Sequence, residues 1–237
     1  MNVIKRLLLK SSFFRKTIHK SGEEIHKQKL KDISNHLREV KNELIKLLPT
    51  QLWQRFESEA YISGGCIYSL YHDKQPKDYD FFLVNDSLVE ELREYFIDHA
   101  GYHGSDMSGG TYCDLPLIIT NNAISIGKYQ IITQWVGDPQ DVIMEFDFKH
   151  NQFYWKNKRV YALSDWTYLK GNALVYNEQR ARDIVGTIVR VPRFIQRGMT
   201  ITQKEMSKVL LKLHSVGFTD KEIEILNSNK ADRHFGS

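Results

Sequence analysis

The sequence predicts an α+β fold: a mixed sheet with helices behind it and helical additions at both ends. Three observations predict it. Between residues 58 and 162, short aromatic and β-branched runs are cut by Gly, Asn and Pro, the pattern of strands joined by tight turns. Residues 23–48 carry an apolar stripe at helical spacing, and residues 163–237 read as successive helices. The expected organisation is a basic arm (1–22), a helical segment (23–57), a central sheet region (58–162) and a C-terminal helical region (163–237).

A chain of 237 residues with 41% hydrophobic residues can bury a sizeable core without staples. Its formal charge of +4 suits nucleotide or RNA partners but falls far short of a charge density that would argue nucleic acid unaided. Two cysteines far apart, Cys66 and Cys113, imply neither a zinc site nor a disulfide framework. Both are expected to be buried structural residues.

The first 22 residues contain Lys5, Arg6, Lys10, Arg15, Lys16 and Lys20 and no acid. Their apolar groups, Ile4 to Leu9 and Phe13-Phe14, are too short for a membrane span, so no stable membrane insertion is expected. An organelle-targeting or membrane-surface helix and an arm touching RNA phosphates both remain open, with a cytoplasmic location as the default.

From Glu23 to Leu48, residues Leu30, Ile33, Leu37, Val40, Leu44 and Leu47 recur three and four apart. The favoured reading is a helix laid on its own domain; the alternative is a seam for a homodimer. Pro49 ends it, and Leu52 to Glu59 forms a short helix.

Next comes Tyr61-Ile62-Ser63-Gly64-Gly65, a strand end running into a glycine turn, with Cys66 to Tyr71 continuing as a helix. Twelve residues separate Gly65 from Asp78-Tyr79-Asp80-Phe81-Phe82-Leu83, a buried strand whose period of two puts both aspartates on one face. Two unpaired carboxylates side by side are poor core material, so they are expected at a cleft, neutralised by a divalent cation. A Gly-Gly pair alone is a common turn and Asp-x-Asp alone a common strand end. Their conjunction at this spacing carries the weight.

That conjunction resembles the DNA polymerase β-type nucleotidyltransferase superfamily, and most of all the head domain of CCA-adding enzymes and bacterial poly(A) polymerases. The resemblance covers roughly residues 58–155. It implies a polymerase β-like fold and an enzyme that moves a nucleoside monophosphate from a nucleoside triphosphate, ATP or CTP, to a hydroxyl by in-line attack with release of pyrophosphate. The implied acceptor is an RNA 3′ end, tRNA-like, with a protein or small-molecule hydroxyl, or a non-catalytic nucleotide- or RNA-binding relative, as alternatives. It implies two Mg²⁺ ions on Asp78 and Asp80, and a third carboxylate on a neighbouring strand. That acid is sought in Val142 to His150, where Asp147 is chosen and Glu145 is the fallback. Ser63, Gly64 and Gly65 are implied to hold the phosphates. Glu178-Gln179-Arg180-Ala181-Arg182 resembles the family's base-reading motif, so Arg180 and Arg182 join the nucleotide site. Where the CCA-adding enzymes carry an Arg-Asp pair after the glycines, this chain has Tyr68 and Ser69, which leaves the acceptor open.

The remaining elements follow in order. Ser87 is expected to cap a helix over Leu88 to His99, and residues 101–110 to form a Gly- and Ser-rich loop. Tyr112 to Thr120 and Ala123 to Trp135 read as a hairpin about Asn121-Asn122, with Lys128 an ordinary strand or turn residue. Asp138-Pro139 opens a short helix, and Gln152 to Trp155 pairs with Arg159 to Ala162. Helices are expected over Ser164 to Lys170, Glu178 to Arg197 with Pro192 kinking or splitting it, Gln203 to Val216 and Thr219 to Asn227. The second of these gathers Arg182, Arg190, Arg193 and Arg197 into a basic face.

Overall fold

The computed structural model describes residues 21–99, 110–180 and 182–227. The expected basic arm and most of the Gly- and Ser-rich loop lie outside the described residues.

Helix α1 (Gly22–Ile45) begins at a capping box: Ser21 Oγ accepts from the Glu24 amide, and the Ser21 amide donates to Glu24 Oε2. Its stripe of Ile33, Leu37, Val40 and Leu44 is buried in the chain's own core, each side chain contributing about 1.5–3 kcal/mol. The expected stripe is therefore spent within the chain. A 3₁₀ turn (Thr50–Leu52) leads to α2 (Trp53–Glu59), then β1 (Ala60–Ser63), α3 (Gly65–Tyr71), β2 (Tyr79–Leu83) and α4 (Asp86–His99).

Four strands follow, β3 (Gly110–Tyr112), β4 (Leu115–Ile119), β5 (Ala123–Ile126) and β6 (Tyr129–Ile132), then α5 (Pro139–Ile143), β7 (Phe153–Lys156) and β8 (Arg159–Ala162). The C-terminal helices are α6 (Trp166–Lys170), α7 (Ile184–Gln196), α8 (Gln203–Val216) and α9 (Asp220–Asn227). No described helix is long and apolar enough to cross a membrane.

The strands form one mixed eight-stranded sheet in the order β3-β4-β5-β6-β2-β1-β7-β8. Only β2–β6 is parallel; every other neighbouring pair is antiparallel. The α+β class and the mixed sheet are as expected. β2, at whose start the aspartates stand, lies at the centre of the sheet, between β1 and β6. Alternate residues of these central strands serve two faces. Ile62, Phe81 and Leu83 enter the main core, while Tyr61 and Phe82 stack against Val142 and Ile143 on the other side.

Several expectations are corrected. Each long strand run is broken by a turn: Cys113 and Asp114 have φ of 48° and 61°, and Gly127 has φ of 55° before Lys128, which faces Glu43 at 3.1 Å. Cys113 is therefore exposed in a turn, and only Cys66 is buried. Ser87 lies inside α4, where its hydroxyl accepts from Arg55 Nη2 at 2.9 Å. Helix α7 starts at Ile184, six residues later than expected, because Asp183 takes a left-handed conformation and caps the Gly186 amide. Pro192 lies inside it without dividing it.

Candidate active site

β1 and α3 meet at Gly64, whose φ of +90° and ψ of −157° suit glycine alone. Ser63 and Asp80 are opposite one another in the β1–β2 ladder, and a Cβ on Gly64 would lie 3.0 Å from Asp80 Oδ2. The missing side chain is what lets Asp80 sit against the turn. Asp78 and Asp80, two residues apart at the start of β2, both line one cavity of about 480 Å³ together with Gly65, Tyr68, Lys74, Lys77, Gln130, His150, Phe194 and Arg197.

The cavity brings two carboxylates together with three cations, Lys74, Lys77 and Arg197. Burial, followed by the neighbouring Asp78 charge, pushes the Asp80 carboxyl up to about 7, with the Arg197 guanidinium pulling the other way. Mg²⁺ commonly takes one or two carboxylates, keeps several waters and fills its shell from substrate phosphates. The Asp78–Asp80 pair fits such an ion. Among the described residues no cluster of three His, Cys, Asp or Glu side chains could hold a metal, so the remaining oxygens would come from substrate and water.

Arg197 ends α7 and reaches over α3: its Nη1 lies 3.6 Å from where a Cβ on Gly65 would stand. Lys74 Nζ donates to the Arg197 carbonyl at 2.6 Å, tying the end of α7 to the loop before β2. His150, 2% exposed, packs edge-on against Tyr68 and Phe194, and its Nδ1 has no partner among the described residues. Burial first, then the charges of Arg197 and His72, pulls its imidazole down to about 3, so it is neutral at physiological pH.

The other sequence-derived site residues are placed elsewhere. Ser63 is fully buried and its Oγ donates to the Phe153 carbonyl at 2.7 Å. Asp147 does not line the cavity: Arg190 Nε donates to its Oδ2 at 2.5 Å, and Arg190 Nη2 to Asp183 Oδ2 at 2.9 Å. The expected strand through residues 142–150 is not formed. After α5 the backbone turns at Met144, and its carbonyls are taken by side chains: Asn177 Nδ2 donates to those of Met144 and Phe146, and Arg180 Nη1 to that of Glu145. With those acceptors occupied the segment does not join the sheet; its β-like pairing is a single antiparallel bridge of Phe148 with Tyr176, flanked by bonds from the Asn177 amide to the Asp147 carbonyl and from the Lys149 amide to the Val175 carbonyl. Arg180 is thus buried in this clamp, bridging to Asp183 as well, while Arg182 lies over the Trp135 ring and 3.7 Å from the Glu145 carboxylate. The structure brings together Asp78, Asp80, Gly64 and Gly65, and places Ser63, Asp147, Glu145, Arg180 and Arg182 outside the cavity wall.

Sequence reasoning did not pick out Lys74, Gln130, His150 or Arg197 for this site. Only Arg197 carried a signal, as the last member of a basic stretch; the others reach the cavity through tertiary packing.

A family model matches residues 24–180, well over half of the chain, and describes a Gad2, Gabija anti-defense 2, family protein. The chain belongs to this family. No curated protein matches the sequence. Among solved structures, this Gad2 family member is similar to the Bacillus stearothermophilus CCA-adding enzyme in complex with CTP, at 16% identity and a TM-score of 0.47 over 70% of this chain and 42% of that one. It is also similar to the Thermotoga maritima CCA-adding enzyme complexed with tRNA, at 14% identity and a TM-score of 0.45 over 74% of this chain and 45% of that one. A CCA-adding enzyme in complex with ATP matches at 14% identity and a TM-score of 0.46, over 80% and 51% of the two chains. The chain spans about half the length of the structures it matches.

Proposed function

We propose that this Gad2 family protein is a Mg²⁺-dependent nucleotidyltransferase that moves a nucleoside monophosphate from ATP or CTP onto a hydroxyl acceptor, and that the transfer counteracts the Gabija defence for which the family is named. The observation that carries this reading is the meeting of opposite charges in one cavity: Asp78 and Asp80 line it together with Arg197, Lys74 and Lys77. A divalent cation answers the carboxylates and a phosphate chain the cations.

Asp78 and Asp80 would hold the Mg²⁺, which when bound supplies charge neutralisation at the phosphates and a lower pKa for the attacking hydroxyl. Gly64 keeps the approach to Asp80 free of a side chain, so a triphosphate can lie against bare backbone beside the carboxylates. Ser63, its hydroxyl committed to Phe153, holds β1 against β7 and fixes the height of the turn. The residues thus act mainly by positioning and preorganised charge.

The family name favours an acceptor hydroxyl on a component of the defence itself. The formal charge of +4 supports an RNA 3′ end as the second reading. Incubation of the protein with each α-labelled nucleoside triphosphate and Mg²⁺, in the presence of purified Gabija components or total RNA, separates them. Label on a defence protein, lost in Asp80→Asn, supports the first, and label on RNA the second; no transfer by folded protein to either overturns the proposal.

A further inference from the structure

We infer that Arg197 is the residue that grips the phosphate chain of the bound nucleotide, a deepening of the proposed function on which it rests. Among the described residues its guanidinium makes no hydrogen bond and no ion pair, although it faces a cavity containing two carboxylates and stands beside the Gly64-Gly65 turn. Arg197 lines the same cavity as Asp80 and His150, and its Nη1 lies 3.6 Å from where a Cβ on Gly65 would stand.

The free head contrasts with an anchored backbone. Besides the bond from Lys74, the Arg197 amide donates to the Phe194 carbonyl at 3.1 Å, and Gly198 and Met199 close the end of α7 with bonds of 2.9 and 3.1 Å to Ile195 and Phe194. Phe194 and Met199 are buried on either side. The next residue is held too: Thr200 N donates to Asn172 and its carbonyl accepts from Leu174 N. A fixed stem with an uncommitted planar fork of donors is suited to a multidentate anion.

The other arginines near α7 do not offer this at the cavity: Arg193, inside α7, is exposed and is not among the residues lining it. Arg190 and Arg180 are engaged by Asp147, Asp183 and the Glu145 carbonyl, and Arg182 by Trp135 and Glu145. Helix α3, which carries the turn, has no basic residue between Gly65 and Tyr71. The guanidinium beside the glycine turn therefore comes from the far end of the chain.

The test measures binding of Mg·ATP, Mg·CTP, AMP and inorganic tripolyphosphate to the full chain and to its Arg197→Ala, Arg197→Lys and Asp80→Asn variants. Arg197→Ala should weaken ATP, CTP and tripolyphosphate by roughly tenfold to a hundredfold, the effect of losing charge-assisted bonds, while AMP binding changes little. Arg197→Lys should fall between, since an ammonium keeps the charge without the fork. Because the side chain makes no hydrogen bond among the described residues, the melting temperature of Arg197→Ala should match the wild type, and Arg197→Lys gives an independent reading if it does not. Equal triphosphate affinity in wild type and Arg197→Ala overturns the inference alone. A folded wild-type protein that binds no nucleotide overturns the nucleotidyltransferase reading and the inference with it.

Discussion

Gly64 and Asp80 meet at the head of the central strands: a Cβ on Gly64 would stand 3.0 Å from Asp80 Oδ2, at a backbone φ of +90°. Gly64→Ala therefore meets two penalties, a conformation that L side chains rarely adopt and a contact with a carboxylate facing the cavity. Such strain costs about 1–3 kcal/mol. The expected outcome is a protein destabilised by about that amount in urea unfolding, with nucleotide binding reduced more than Gly65→Ala reduces it. At Gly65 the nearest atom to an added Cβ is Arg197 Nη1 at 3.6 Å, an ordinary contact.

Asp147 and Arg190 join the loop after α5 to α7, with Asp183 sharing the same guanidinium. Arg190→Met should lower stability by about 1–3 kcal/mol, less than for a fully buried pair because Arg190 is 33% exposed. Asp147→Asn should likewise act on unfolding midpoints and leave Mg·ATP affinity within about threefold of wild type, a factor worth under ~1 kcal/mol. Affinity lost at unchanged stability would instead place Asp147 among the ligand-binding groups.

The contrast between these two pairs shows what could be read in the chain. The Gly-Gly turn, the Asp-x-Asp strand and their helical neighbours depend on local spacing and glycine conformation, so their positions were legible. The neighbourhood of Asp147 was not, because Phe-Asp-Phe alternates like a strand whichever partners its carbonyls find. Here Asn177 and Arg180, some thirty residues later, occupy the Met144, Glu145 and Phe146 carbonyls, and Phe148 makes only a single bridge, to Tyr176, outside the sheet. The late start of α7 has a similar origin in the left-handed Asp183, a conformation that spacing does not announce. His150 and Lys74 join the cavity only through tertiary contacts, His150 against the Tyr68 and Phe194 rings and Lys74 with the Arg197 carbonyl.

Cys66 and Cys113 should react differently with thiol reagents. Burial pushes the Cys66 thiol far above its ordinary range, and the side chain lies under the glycine turn, its Sγ 3.6 Å from the Ser63 carbonyl. Cys113 is exposed in the β3–β4 turn. One thiol per chain is expected to react quickly with an aromatic disulfide in native protein, and the second only on unfolding; Cys113→Ser should abolish the fast phase. Two fast thiols would mean that the turn opens readily.

Lys41 carries a pH dependence of stability that can be isolated. Its side chain is 3% exposed, with Nζ donating to the Glu57 and Ala60 carbonyls and facing the Glu57 carboxylate at 3.7 Å. Burial, the largest influence, pulls the ammonium down from 10.5 to about 8 despite the opposing pull of Glu57. Below about pH 8 both folded and unfolded chains carry this proton, and the cost of burying the charge is fully present. Between about 8 and 10.5 the unfolded chain holds the proton more tightly, so stability from this group rises with pH, by roughly 3 kcal/mol in total. Cys66 and the buried tyrosines, whose folded-state values are raised, contribute in the opposite direction above pH 9–10. The readout is therefore the difference in unfolding free energy between wild type and Lys41→Met across pH 7–10.5. That difference should move in favour of the wild type as pH rises; a flat difference would show that Lys41 stays charged and hydrated in the folded chain.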